Sequence, residues 1–140
     1  MSLQACRKVI EDAVKAGAGA VSPKVPVYVD NQQYTDNDAT KEFVLARVTF
    51  TTTTEPTFCE NVEALRGVLV VEVFTPKGKG PGRGQTIATE IAKQLNGLRY
   101  HSATGAKARM LSIDGPSFTA LDGRPHFMTR LSGPLLASYT

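Results

Sequence analysis

The 140-residue chain reads as α+β, an antiparallel or mixed β-sheet of about four to five strands packed against two α-helices in the order α-β-β-β-α-β-β. Three observations lead there. Apolar residues recur at steps of three and four in two stretches, one near the N-terminus and one after residue 85. Between and after those stretches they alternate or run together, as in strands. The strand-like runs mostly follow one another through short connections punctuated by glycine and proline, which disfavours a doubly wound parallel sheet.

Leu3, Cys6, Ile10, Ala13 and Val14 share one side of a helix, with Arg7, Lys8, Glu11, Asp12 and Lys15 on the other. The spacing predicts a helix over 3–16, with Ser2 as its cap. The run from Gly17 to Ala20 is expected to end it, because glycine is costly inside a helix and readily supplies a left-handed cap. Pro23 and Pro26 stiffen a connector into the short strand Val27-Tyr28-Val29, and Asp30 to Thr40 is too polar to be anything but an exposed loop. From Phe43 the chain alternates: Val44, Ala46, Val48 and Phe50 take one face, and Arg47, Thr49, Thr51 and Thr53 the other. Glu60 to Arg66 is open to a helical turn. Gly67 to Phe74 is apolar on both faces, so a central strand covered on both sides is expected.

Thr75 to Gly84 has no apolar side chain to anchor it and reads as a solvated loop. Ile87, Ala88, Ile91, Ala92 and Leu95 return to helical spacing, giving a second helix over 85–96 that stops at Asn96-Gly97. In the last third, Arg109 to Ile113 and Phe127 to Leu131 read as strands. Asp114-Gly115-Pro116 and Leu121 to Pro125 read as turns.

A mass of 15.0 kDa points to one domain over residues 1–140. The 41% hydrophobic and 21% charged composition belongs to an ordinary globular chain and excludes wholesale disorder. No apolar run exceeds four residues, as in Val68 to Val71, far short of the ~20 residues of a membrane-spanning helix. No apolar segment follows Met1 as in a secretory signal, so a cytoplasmic start is expected. Cys6 and Cys59 lack metal-ligand spacing and read as two buried, reduced thiols.

The net charge of +3 is unevenly spread. Residues 1–76 carry 7 basic against 10 acidic side chains, residues 77–109 carry 7 against 1, and residues 110–140 balance at 2 against 2. Such segregation suits either the docking of copies to one another or an acidic polymer.

The loop GKGPGRG sits between a strand and a helix, as phosphate loops do, yet its spacing fits neither nucleotide fingerprint. GxxxxGK[ST] fails because Gln85 follows Gly84, and GxGxxG fails because Arg83 stands where the third glycine belongs. Its remaining roles are a connector, a segment that orders against a partner subunit, or a basic strip whose Lys77, Lys79 and Arg83 release counterions from nucleic acid. His101 and His126 are isolated and read as structural, and the carboxylates are scattered through loops and turns. No catalytic residue, metal or cofactor is expected. Aromatic residues are not interleaved with the basic loop, so a base-stacking platform is not supported.

The segment Gly67 to Phe74, then Thr75-Pro76-Lys77-Gly78-Lys79-Gly80, then the helix from Thr86 to Ala92, resembles small phage tail terminator proteins. There, too, a glycine, a hydrophobic run and P-x-G-x-G lead into a helix with Ala and Ile spacing. The N-terminal helix, the short strand of Pro26 to Asn31 and the strand from Phe43 extend the likeness over about residues 3–96. The resemblance implies a non-enzymatic virion protein of long-tailed phage, made late, assembled in the host cytoplasm and placed at the head-proximal end of the tail. It implies a self-assembled ring, a hexamer, that halts tube polymerisation, with the tail tube protein and the head connector or stopper as partners and no membrane contact. Lys77, Gly78, Lys79, Gly80 and Arg83 would then form a subunit-interface or lumen loop, with non-specific contact to passing DNA. Two alternatives stay open: another head-tail joining or tail-completion protein, and a small DNA-binding module, marked by salt-dependent DNA affinity of the monomer.

Overall fold

The computed structural model describes residues 3–22, 24–29, 41–51, 63–76, 78, 81–101, 107–120 and 126–139. In chain order these form α1 (Leu3–Gly19), β1 (Val27–Val29), β2 (Phe43–Thr51), β3 (Glu63–Pro76), α2 (Gly82–Leu95), β4 (Arg99–His101), β5 (Lys107–Met110), β6 (Asp114–Ala120) and β7 (His126–Tyr139). The seven strands make one mixed sheet in the order β1-β2-β3-β7-β5-β4, with β6 also paired to β7. Only β1 and β2 run parallel; the other pairs are antiparallel. The α+β class and the early order of elements are as the sequence implies, and the strand count is higher.

Both helices lie on one face of the sheet. Cys6, Ile10, Val14 and Ala18, four residues apart along α1, are fully buried, as are Ile87, Ala88, Ile91 and Leu95 on α2. Beneath them the strands contribute Val44, Ala46 and Val48 from β2, Leu69, Val71 and Val73 from β3, and Leu131, Leu135 and Ala137 from β7. Every second residue of three adjacent strands thus points into one core, and each fully buried aliphatic side chain contributes about 1.5–3 kcal/mol. Cys6 is buried as a thiol; Cys59, Ser2, Thr53, Asp122 and the 30–40 loop lie outside the described residues.

α1 does not stop at residue 16. It continues through Gly17 and Ala18 to Gly19, because Gly17 is where α1 meets α2. A Cβ on Gly17 would stand 2.5 Å from Ile91 Cα and 2.9 Å from Glu90 O, so the glycine permits close helix approach rather than ending the helix. On the solvent side, Asp12 accepts a 2.7 Å hydrogen bond from Lys8 Nζ. That bond, aided by the charge of Asp12, holds the ammonium above the usual lysine range. α2 ends as expected: Asn96 N–H bonds back to Ala92 O and Gly97 takes φ +73°.

Residues 63–66, expected within a helical turn, belong to β3, whose 14 residues pair with all 14 of β7. Asp114-Gly115-Pro116, expected as a turn, opens β6, and its irregularity appears as a register shift between Asp114 and Ser117 and a cis Gly115–Pro116 bond. β5 and β6 lie in succession along the same edge of β7, linked by Leu111 N–H bonded to Pro134 O. β4 has no counterpart in the expected order.

The central strand is not covered alike on both sides. Its helix-facing residues are buried, but on the opposite face Val68 is 45% exposed. No helix among the described residues lies on that face. At one end of it Phe43, Leu45 and Phe74 form a second, smaller apolar cluster with Tyr28 and Met128 packed against them.

Candidate functional site

Of the connection from β3 to α2, Gly78 and Pro81 are described. Gly78 takes φ +88° and is exposed, a conformation open chiefly to glycine. Pro81 precedes the first turn of α2, where its missing N–H costs nothing. α2 begins at Gly82 rather than residue 85, so Arg83 belongs to the helix and not to a free loop. The first turn is held by Gln85 N–H to Pro81 O and by the Thr86 hydroxyl to Gly82 O, each 2.9 Å.

Arg83 is committed within the chain. Its Nε donates to both carboxylate oxygens of Glu42, at 3.2 and 2.9 Å, and its Nη1 donates to Ser22 O at 3.2 Å. Both side chains are about three-quarters buried, with 26% and 24% exposed. One guanidinium therefore ties the start of α2 to the segment after α1 and to the residue before β2. Of the predicted loop residues, Gly78 and Arg83 are described, and they do not act together: one is a solvated turn and the other a clamp. Lys77, Lys79 and Gly80 lie outside the described residues.

Gly84 packs over β7. A Cβ there would collide with Thr129 Oγ1, and that buried hydroxyl has no hydrogen-bond partner among the described residues. Nearby, Thr75 Oγ1 donates to Phe127 O at 3.4 Å.

His126 is buried at the aromatic end of the open face. Its ring stands edge-on to Phe43 at 5.3 Å and to Phe74 at 6.2 Å, while Phe43 and Phe74 stack at 4.7 Å. Its Nε2 donates to Lys41 O at 2.9 Å, so it is a satisfied structural histidine. Farther along the same face stand Arg47, Arg66, Arg99, Arg109 and Arg130, all exposed. Glu72 lies mid-strand on β3, 4.0 Å from Arg47 Nη1 of its own chain. A groove of about 280 Å³ lies between α2 and β6, lined by residues including Lys93, Asn96 and Ile113. Among the described residues no cluster of three or more His, Cys, Asp or Glu could hold a metal, and no helix is long and apolar enough to cross a membrane.

The arginine face was missed because its members come from five separate strands. The signal was present as an arginine at the outward position of each alternating run, but register was needed to place them together.

A family profile described as phage tail terminator protein matches residues 8–127. The chain belongs to the phage tail terminator family. Its role is accordingly structural, in completing a phage tail, and it is a component of the virion tail. The match extends beyond the sequence likeness of residues 3–96 into the last third, taking in β4, β5 and β6. No curated protein matches significantly. Among solved structures, one shares the fold at a TM-score of 0.76 and 23% identity, covering 100% of this tail terminator and 98% of that chain.

Proposed function

We propose that this tail terminator acts as a single-domain ring subunit that caps the head-proximal end of a long tail tube, ends its polymerisation and presents the surface on which the head connector docks. The family match over residues 8–127 carries the reading. Ring closure needs each subunit to use two unlike surfaces in a heterologous contact. The opposite charge balance of residues 1–76 and 77–109 supports such a pairing. A homohexamer is the proposed ring, with tail tube protein on one side and connector or stopper on the other. Lys77, Gly78, Lys79 and Gly80 are proposed to face a neighbouring subunit or the lumen, where DNA passes. Arg83 marks the base of that loop, held by Glu42.

Light scattering of the purified protein across concentration and salt tests this. The expected result is a six-subunit mass, or a monomer that assembles only when tail tubes are added. A monomer that ignores tube ends at every concentration overturns it.

A further inference from the structure

The sheet face opposite the helices gathers five of the chain's eight arginines. Alternation places them there: Arg47 lies between buried Ala46 and Val48, Arg109 between buried Ala108 and Met110, and Arg130 between buried Thr129 and Leu131. Arg66 and Arg99 join them by register. Arg66 pairs with Leu136, Leu136 with Arg109, and Arg109 with Arg99, so three arginines share one row across β3, β7, β5 and β4. That row spans three strand spacings, about 14 Å.

The acidic residues described on this face are Glu72, which stands beside Arg47, and Asp114, at the edge. Arg99, Arg109 and Arg130 make no ion pair or hydrogen bond among the described residues, whereas Arg83 and Arg7 are engaged elsewhere, with Glu42 and over the Phe50 ring. Arg99 stands directly opposite Arg109 in the ladder. Like charges facing each other across two strands are unfavourable, and an anion laid over them reverses the sign of that interaction. Guanidinium is also the cation best matched to a phosphate, because its fork donates two parallel hydrogen bonds.

We propose that this open sheet face, centred on the Arg66–Arg109–Arg99 row with Arg130 beside it, is a contact surface for the phosphate backbone of duplex DNA. The row is long enough to reach phosphates on both sides of a groove about 12 Å wide. The described aromatic side chains on this face gather at its far end, around His126. The contact is therefore to backbone, without base stacking or sequence readout. It goes beyond the capping role and does not depend on ring closure, since one chain carries the whole row.

The test is binding of a short random-sequence duplex to the full chain between about 50 and 200 mM salt. Wild type is compared with Arg99→Gln, Arg109→Gln and Arg130→Gln combined, with the same three positions changed to Lys, and with Lys77→Gln/Lys79→Gln. Each lost phosphate contact removes about 0.9 from the slope of log affinity against log salt, so the triple Gln variant should lose up to about 2.7 and bind at least about tenfold more weakly. The Lys triple should keep most of the slope. Single Arg109→Gln, with a loss of about 0.9, serves if the triple variant does not fold. The proposal is overturned if wild type does not bind, if the Gln variants bind as wild type does, or if only the loop variant loses affinity. It is also overturned if the triple variant keeps DNA binding but loses self-association, which would make the face a subunit contact. Light scattering of the same samples reads the ring independently, so the two proposals fail separately.

Discussion

Replacing Gly17 by alanine should drive the two helices apart. An ideal Cβ at Gly17 falls 2.5 Å from Ile91 Cα and 2.9 Å from Ile91 N, where ordinary contact begins near 3.4 Å, so α1 and α2 must separate by about 0.9 Å. The atoms struck are backbone and cannot turn aside as a side-chain end would. Overpacking of this kind costs about 1–3 kcal/mol, and the rigid contact argues for the upper end. Alanine regains about 1 kcal/mol of helix propensity, leaving a net loss of about 2 kcal/mol. For a chain of this length that lowers Tm by about 6–8 °C. Gly19→Ala is the matched control, because nothing lies within 4 Å of its added Cβ; it should melt at or slightly above wild type. Calorimetric melting of the two variants checks this. If both melt within about 2 °C of each other, the close helix contact is not what keeps glycine at position 17.

Four further outcomes follow. A double-mutant cycle of Arg83→Gln and Glu42→Gln in urea should return a coupling of about 1–2 kcal/mol, since a charge-assisted, partly buried pair is broken. Leu69→Ala should cost about 2–5 kcal/mol while its neighbour Val68→Ala costs under about 0.5, because one residue faces the core and the other solvent; denaturant midpoints distinguish them. Thr129→Val should raise stability by about 1 kcal/mol, as it removes a buried hydroxyl without a partner among the described residues and keeps the shape. Glu72→Gln should change stability by less than about 1 kcal/mol in the same assay, because its 4.0 Å contact with Arg47 lies on a face open to water.

The helices and inner strands were legible because their burial repeats with a fixed period. Cys6, Ile10 and Val14 every four residues, and Val44, Ala46 and Val48 every two, leave little choice of face. Non-local effects were not legible. Gly17 carries the same letter whether it ends a helix or admits a neighbouring one, and only the position of Ile91 decides. Residues 63–66 are strand because β7 runs alongside them as far as Tyr139, a pairing of segments more than 60 positions apart. Gly115-Pro116 has turn composition, yet β7 supplies the partner that holds it as an irregular strand. The basic loop was legible as a feature, but Glu42, which takes Arg83 out of it, is 41 residues away. The arginine row was hidden for the same reason: each outward arginine looks like ordinary strand alternation until register joins them.

The capping role is tested most directly by the length of tail tubes polymerised in vitro from tube protein, with and without this protein, measured by electron microscopy. The account predicts tubes that stop growing on its addition and carry a ring at one end only. Tubes that continue to lengthen with the protein unbound, or decorated along their sides, would contradict it.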